Sequence, residues 1–371
     1  MSKQLGSVVR VATAQDRDDF YRLWKVCFGD SDAFCDWFFE NRFLPEYSVC
    51  LETEQGIASC MQAYPYAFWV RGKEISGAML CGVSTAPEQR KKGFMGQIFR
   101  YEMHHLAEKG CLIAPHTPAI LESYFPFGHF PVADAAYLAG RDIPHVVRPQ
   151  EIVSVDFTQI GTLYPLYERF AKKYSGMLKR IEADFLRKAA DYATDDGQCI
   201  AYIEKGQPKA YAFYYKLEER LVCIEAVAED GYWRPLMEGL LAEAGGCAFL
   251  AKLPPELEIH FPFAQTVRKP KGVMGLCDAA ALLRALELKI PYSVRIKDAV
   301  IEKNNGCFLF SGKRMDEKPV FEISAGHFLQ ALVGYRSLDE LRGEITILDE
   351  NKFREIDRLL PKQHCYIIDE Y

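Results

Sequence analysis

The sequence predicts an α/β (α+β) fold: two mixed-sheet units in tandem over residues 1–140 and 141–275, followed by a third α/β unit over 276–371. Three observations carry this expectation. Short runs rich in aromatic and β-branched residues alternate with stretches whose apolar residues recur at helical spacing. That rhythm starts again after residue 140. The length of 371 residues suits two or three domains, and 49% apolar with 26% charged residues is an ordinary globular balance.

In the first unit, Phe20, Leu23, Trp24 and Phe28 line one face of a helix over 20–28. Gly29 to Asp32 breaks it, and Ser31 or Asp32 caps the next helix over 33–42. Residues 47–52, 57–64 and 67–71 read as strands, with a hairpin turn at Arg71-Gly72-Lys73. A short apolar strand over 79–85 ends at Ala86-Pro87. Met95, Ile98, Phe99, Met103 and Leu106 then share one face of a helix over 93–109, which Gly110 stops. Residues 111–114 form a buried strand.

The second unit predicts helices over 163–174, with Thr162 as its cap, over 182–191 and over 232–244. Pro165 and Pro235 fall in first turns, where the missing N–H is tolerated. Strands are expected over 199–204, 210–217 and 221–227. No Gly-rich phosphate loop occurs, so this unit reads as scaffold. The third unit predicts helices over 278–286, 325–333, 337–342 and 352–360. Its strands over 292–303 and 306–311 flank Asn304-Asn305-Gly306, a hairpin signal.

Lys plus Arg is 45 and Asp plus Glu is 51, a net charge of −6, which excludes a general nucleic-acid binder. No run approaches the 18 apolar residues of a membrane span, and the first residues carry no export signature. The 12 cysteines are scattered without a CxxC pair, which points to free thiols in a reducing cytosol, hence a cytoplasmic location. His104 and His105 face different directions on their helix, while His116, His129 and His364 stand alone and read as structural, so no metal is expected.

The most informative stretch is Gly82-Val83-Ser84-Thr85-Ala86-Pro87-Glu88-Gln89-Arg90-Lys91-Lys92-Gly93-Phe94-Met95-Gly96. A strand, a basic turn and a glycine-bearing helix start suit a pyrophosphate, because free N–H groups and partial positive charge gather there. Arg90, Lys91 and Lys92 add full charges, and Gly93 and Gly96 permit close backbone approach. The alternative is a solvated basic turn. Neither GxxxxGK[ST] nor GxGxxG is present.

Arg90-x-x-Gly93 after the Val83-Ser84-Thr85 strand resembles the acetyl-CoA motif of the GNAT N-acetyltransferases, with Met95 departing from its final position. The rest of the chain resembles the branch of the mycobacterial enhanced intracellular survival (Eis) protein. Ser123-Tyr124-Phe125-Pro126-Phe127-Gly128-His129 is similar to its FYxxFGF segment, with Ser123 and His129 as departures. Lys269 to Met274, Cys277-Asp278, Ile296-Lys297-Asp298 and Asn304-Asn305-Gly306 are similar to its entry into a sterol-carrier-like C-terminal domain. The resemblance covers essentially the whole chain. It implies two tandem GNAT-like domains, the first binding acetyl-CoA and the second degenerate, then a sterol-carrier-like domain supplying the terminal carboxylate.

The resemblance also implies roles. Val83, Ser84 and Thr85 would meet the pantetheine arm and thioester. Backbone N–H groups of Arg90, Lys91, Lys92 and Gly93, and of Met95 and Gly96, would hold the pyrophosphate. Tyr124 matches the general acid, the terminal carboxylate of Tyr371 matches the general base, and Glu370 matches an acid of the amine pocket. The implied activity is acetyl transfer to a primary amine of an aminoglycoside, polyamine or lysine, by a closed homo-oligomer, often a hexamer.

The residues are compatible with this chemistry. A thiol near about 8.5 and a phenol near about 10 allow proton transfer to the leaving thiolate. Tyr366, Ile367 and Ile368 argue that the tail is docked, either to place carboxylates in a cleft or as an edge strand of the third unit. Asp30, Asp32 and Asp36, with Phe28 and Trp37, form an acidic and aromatic segment suited to a cation, or else a capped helix with a solvated face. A lipid carrier and a CoA-binding regulator that turns over no amine are the other function classes left open.

Overall fold

The structure, a computed structural model, describes residues 6–370. The first unit runs β1 (Val8–Val11), α1 (Arg17–Phe28), α2 (Asp32–Asn41), β2 (Ser48–Thr53), β3 (Gly56–Val70), β4 (Lys73–Thr85), α3 (Phe94–Glu108), β5 (Ile113–His116) and β6 (Phe130–Gly140). Ser31 caps α2 by accepting from the Phe34 N–H. The two strands expected over 57–71 are one long β3, and β4 begins at Lys73 rather than 79. Arg71 and Gly72 both hold positive φ, the geometry of a tight hairpin, so pairing starts at Val70↔Lys73.

The second unit comprises β7 (Ile152–Ser154), α4 (Tyr164–Ala171), β8 (Leu178–Lys179), α5 (Glu182–Ala193), β9 (Gln198–Glu204), β10 (Gln207–Lys216), β11 (Arg220–Ala228), α6 (Trp233–Ala244), β12 (Ala248–Leu253) and β13 (Ala264–Leu276). Thr162 does not cap α4; its hydroxyl donates to the Gln159 carbonyl within the preceding 3-10 turn. Among the described residues both units share one 13-stranded sheet. β13 inserts between β5 and β6, and β6 continues to β12, so strands of each sequence unit reach into the other.

The third unit holds α7 (Ala279–Leu286), β14 (Ser293–Lys297), β15 (Gly306–Leu309), β16 (Arg314–Met315), β17 (Phe321–Ser324), α8 (Ala325–Val333), β18 (Ile345–Ile347) and α9 (Glu350–Leu359), with a five-stranded sheet ordered β16-β15-β14-β17-β18. The expected hairpin at 304–306 is a longer connection over 298–305. Asn304 is spent instead on bonds to Ala279 N, Leu276 O and Asp298, and Asn305 on both backbone groups of Asp298. Residues 337–342 form turns rather than a helix, with Leu338 and Leu341 buried as anchors. Among the described residues no helix is long and apolar enough to cross a membrane.

The tail is docked, but not as an edge strand: its ladder is limited to a single bridge, Ser175↔Cys365. Its side chains alternate between two cores. Tyr366 and Ile368 enter the core of the second unit, while Cys365 and Ile367 enter the core that the third unit shares with β3 to β5 and β13. Asp369 is fully buried and accepts from Arg180 at 2.8 and 3.2 Å. The same guanidinium grips Glu225 bidentately at 2.7 and 3.0 Å, and the Tyr192 and Tyr211 hydroxyls also donate to Glu225. Burial alone would push the Glu225 carboxyl up; the Arg180 charge and the bonds from Arg180 and Tyr211 outweigh it and leave it below its ordinary value.

Arg180→Met would strand two buried carboxylates, and removing one partner of such a set costs about 3–5 kcal/mol. Denaturant melts should show that loss. Because the folded Glu225 carboxyl is depressed, its stabilising contribution is complete above about pH 4.3 and fades as pH falls below that value. A wild-type stability curve that rises on acidification from pH 5 would contradict this assignment.

Candidate functional site

The groove originates in a strand pair that separates. β4 and β5 are parallel neighbours only at Gly77↔Ile113, where a Cβ on Gly77 would sit 2.6 Å from the Ile113 carbonyl oxygen. Further along β4, the register against β3 passes from Gln62↔Cys81 to Cys60↔Ser84, so β4 carries an extra residue. Gly82 lies in this bulge at φ +60, and a Cβ there would meet the Trp24 ring at 2.6 Å. A bulge bends and twists its strand. The end of β4 thus turns from β5 and leaves a groove of about 960 Å³.

Val83, Ser84, Thr85, Arg90, Lys91, Gly93, Met95, Gly96 and Phe28 all line this groove. Lys92 does not; it is exposed and donates to the Gln89 side chain at 2.6 Å. The Thr85 carbonyl already accepts from Arg90 Nε at 3.2 Å, so Arg90 closes the turn as well as charging it. Lys91 and Gly93 hold positive φ, which swings the chain into α3. No side chain caps α3, and its first turn has no acidic residue. Its leading N–H groups and positive helix end therefore remain suited to an anion.

Tyr124 lies in the groove wall on a 3-10 turn, Leu121–Phe127, that Gly128 ends at φ +76. Its ring packs on Phe99 and His116. Burial pushes its phenol up to about 12. Burial also drives the His116 imidazole down to about 3 and pushes the Glu102 carboxyl, inside α3, well above its ordinary value.

A second cavity of about 190 Å³ lies beside the groove. Trp24 lines it and packs at a tilt against Phe28, a groove residue, with ring centroids 4.9 Å apart. Asp30 and Glu370 meet there, joined by Asp191, Asp195, Lys188 and Lys252. Asp30 accepts from Trp24 Nε1 at 2.8 Å. Four carboxylates against two lysines leave this wall with an acidic excess, and Trp24, Phe34 and Phe38 supply aromatic faces. Trp37 lies outside both hollows, partly buried in the α1–α2 cluster. Asp32 and Asp36 are engaged with Lys25 and Tyr21.

Glu370 is held by three lysines. Lys252 and Lys271 reach its carboxylate at 2.6 and 3.0 Å, and Lys188 donates to its carbonyl at 3.1 Å. Burial would raise the carboxyl, but Lys252 and Lys271 prevail and bring it to about 2. Its side chain keeps 48% of its surface exposed, so solvent screens these pairs and they add little stability. Tyr371 lies outside the described residues.

Sequence reasoning missed Arg180, Glu225, Lys188, Lys252 and Lys271. A signal existed for Glu225, the lone acid inside the apolar run Leu221 to Val227. The lysines offered none, because their partner, Glu370, is remote in sequence. Gly82→Ala should be destabilising by about 1–3 kcal/mol, since the new methyl overpacks Trp24 and the residue must hold positive φ. Thermal melts of that variant at wild-type stability would contradict the bulge as described.

Residues 8–132 match the family described as an acetyltransferase (GNAT) domain. No curated protein sequence matches the chain. Among solved structures, the chain is similar to a protein of Enterococcus faecalis V583 described as a probable N-acyltransferase, at 18% identity and TM-score 0.80. It is also similar to a GCN5-related N-acetyltransferase from Anabaena variabilis ATCC 29413 (15%, TM-score 0.80) and to Eis1 from Mycobacterium abscessus (14%, TM-score 0.77). Each similarity covers 99% of this chain and 100% of the other, and at these identities it is a likeness of fold. All the residues that line the groove, Tyr124 included, fall inside the matched segment. Residues 8–132 thus carry a GNAT acetyltransferase domain.

Proposed function

We propose that the protein transfers an acetyl group from acetyl-CoA to a primary amine of a cationic acceptor, such as an aminoglycoside, a polyamine or a lysine side chain. The observation that carries this reading is the opening between β4 and β5, with an uncapped helix start at one end and Tyr124 in its wall. When bound, acetyl-CoA supplies the activated acetyl group. The N–H groups of Arg90 through Gly93, and of Met95 and Gly96, would hold its diphosphate. Val83, Ser84 and Thr85 would line the pantetheine arm.

Tyr124 would give its proton to the leaving thiolate. Transfer from a phenol at about 12 to a thiolate whose conjugate thiol lies at about 8.5 is uphill, so the phenol needs polar support as its charge grows. The terminal carboxylate of Tyr371 would take the proton of the amine. The docking of the tail through Asp369, and the place of Glu370 in the acidic cavity, support this role. That cavity would seat the acceptor ammonium against Asp30 and the Trp24 face, where charge and ring quadrupole act together.

The proposal extends to organisation. Residues 141–275 would be a degenerate GNAT-like scaffold and residues 276–371 a sterol-carrier-like domain whose task is to seat the tail. The third unit's packing, with Cys365 and Ile367 filling its core, supports that task. Homo-oligomeric assembly rests on the family resemblance alone. The free thiols of the cysteines support a cytosolic location.

Acetyl-CoA turnover with an amine panel tests the reading. Tyr124→Phe should lower kcat by about 10²–10⁴-fold with little change in KM for acetyl-CoA, the effect of losing a positioned proton donor. Deleting Tyr371 should abolish turnover while leaving the thermal melt near that of wild type. Wild-type rates in both variants would refute the assignment.

A further inference from the structure

Tyr124 stands on a turn that its own bonds define weakly. The turn, Leu121–Phe127, is a 3-10 helix of seven residues with Pro126 inside it and no side-chain cap. Such helices are uncommon beyond three or four residues, because their hydrogen-bond geometry is poor. Its last link is Gly128, whose N–H returns to the Tyr124 and Phe125 carbonyls. Neighbouring elements must therefore hold the turn. α3 supplies one hold, through Phe99 against the Tyr124 and Phe127 rings. The third unit supplies another.

That second contact is backbone against backbone. A Cβ on Gly326, in the first turn of α8, would run into the Gly128 carbonyl oxygen and the Phe130 ring. Glycine is a weak helix former, so its place there answers to this close approach. The next residue, His327, stacks on Phe130 with centroids 4.2 Å apart and planes 13° apart, and Phe130 packs against Phe125 of the turn at 5.2 Å. Ser324 fixes that imidazole: its hydroxyl caps α8 by accepting from the His327 N–H and lies 3.0 Å from His327 Nδ1. Gln330, one turn after Gly326, donates to the Pro131 carbonyl at 2.6 Å. Direct contacts thus run without a gap from the cap of α8 to the residue beside Tyr124.

We propose that the start of α8, through Gly326 and His327, is a positioning element for Tyr124, so that the third unit sets the place of the phenol as well as seating the tail. This rests on the acetyl-transfer reading above, in which Tyr124 gives its proton to the leaving thiolate. A proton donor acts only within hydrogen-bond reach of its acceptor, and a misplacement of about 1 Å can cost about 10²-fold in rate. The groups that would hold the diphosphate belong to a different segment, the turn and helix start over 90–96, so a disturbance at Gly326 should reach kcat rather than acetyl-CoA binding. α8 itself exchanges no proton.

The experiment uses the full chain, acetyl-CoA and an amine panel. Gly326→Ala drives a methyl group against the Gly128 carbonyl and should lower kcat about 10–100-fold, with KM for acetyl-CoA within about twofold of wild type. His327→Ala removes the stack without adding bulk, so it decides the matter even where Gly326→Ala fails to fold; it should lower kcat about 3–10-fold with KM equally unchanged. In a Tyr124→Phe background neither substitution should change kcat further, since the place of a donor matters only while the donor is present. Gly312→Ala is the control for plain destabilisation. Its methyl would run into the Ala280 carbonyl, elsewhere in the third unit and at φ +80, so it should lower the melting temperature and leave kcat unchanged below the melt. Unchanged kcat in both Gly326→Ala and His327→Ala, or in His327→Ala alone where the other does not fold, overturns the role and leaves the transfer reading standing. So does an equal loss of kcat in Gly312→Ala, or a further loss in the Tyr124→Phe background. An unmodified protein that turns over no amine overturns the transfer reading, and this role with it.

Discussion

The buried Arg180 guanidinium holds the rest of the architecture in register. It sits between Glu225 on β11 and Asp369 in the tail, in a core that excludes water from all three groups. An isolated charge at that depth would be prohibitive, and even a paired one adds little net stability over apolar packing. What such a set supplies is uniqueness of placement. Only one position of the tail satisfies Arg180, and that position sends Cys365 and Ile367 into one core and Tyr366 and Ile368 into another. The last residues thereby join the second and third units and deliver Glu370 to the hollow beside Trp24.

The same logic of compensated cost governs the groove. One extra residue in β4, with glycine in the bulge, trades regular pairing for an opening between parallel strands. Trp24 fills the space that a side chain on Gly82 would need, and it also borders the acidic cavity and the Phe28 ring. A single indole therefore borders the groove wall and the cavity at once. In the proposed reaction coenzyme and acceptor would share that wall, where the acid-rich α1–α2 segment and the tail converge. On the other side of the groove, Tyr124 packs against Phe99 and His116, with His129 behind His116. Burial strengthens every polar interaction that remains and penalises any left unmet.

Much of this was legible in the residues. Helical spacing located α1, α3 and α6, and the Arg71-Gly72 turn located the β3–β4 hairpin, because these features depend on near neighbours. The basic turn ahead of α3, the glycines and Tyr124 were likewise visible as a local pattern. Failures occurred where a local signal served a distant partner. Asn304 and Asn305 look like hairpin residues, yet their amides staple the 298–305 connection to Asp298 and to the start of α7. His116 and His129 read as isolated structural histidines, although the sheet brings their rings within 5.1 Å.

The sequence by itself determined the mixed α/β character, the basic turn ahead of α3 and the apolar tail, since each is written in spacing and composition over a few consecutive residues. Only the tertiary structure decided that Arg180 meets Asp369, that three lysines surround Glu370 and that β13 crosses between β5 and β6. These pairings join residues far apart in the chain, and a charged side chain gives no sign in the sequence of whether its partner is a neighbour in space or water.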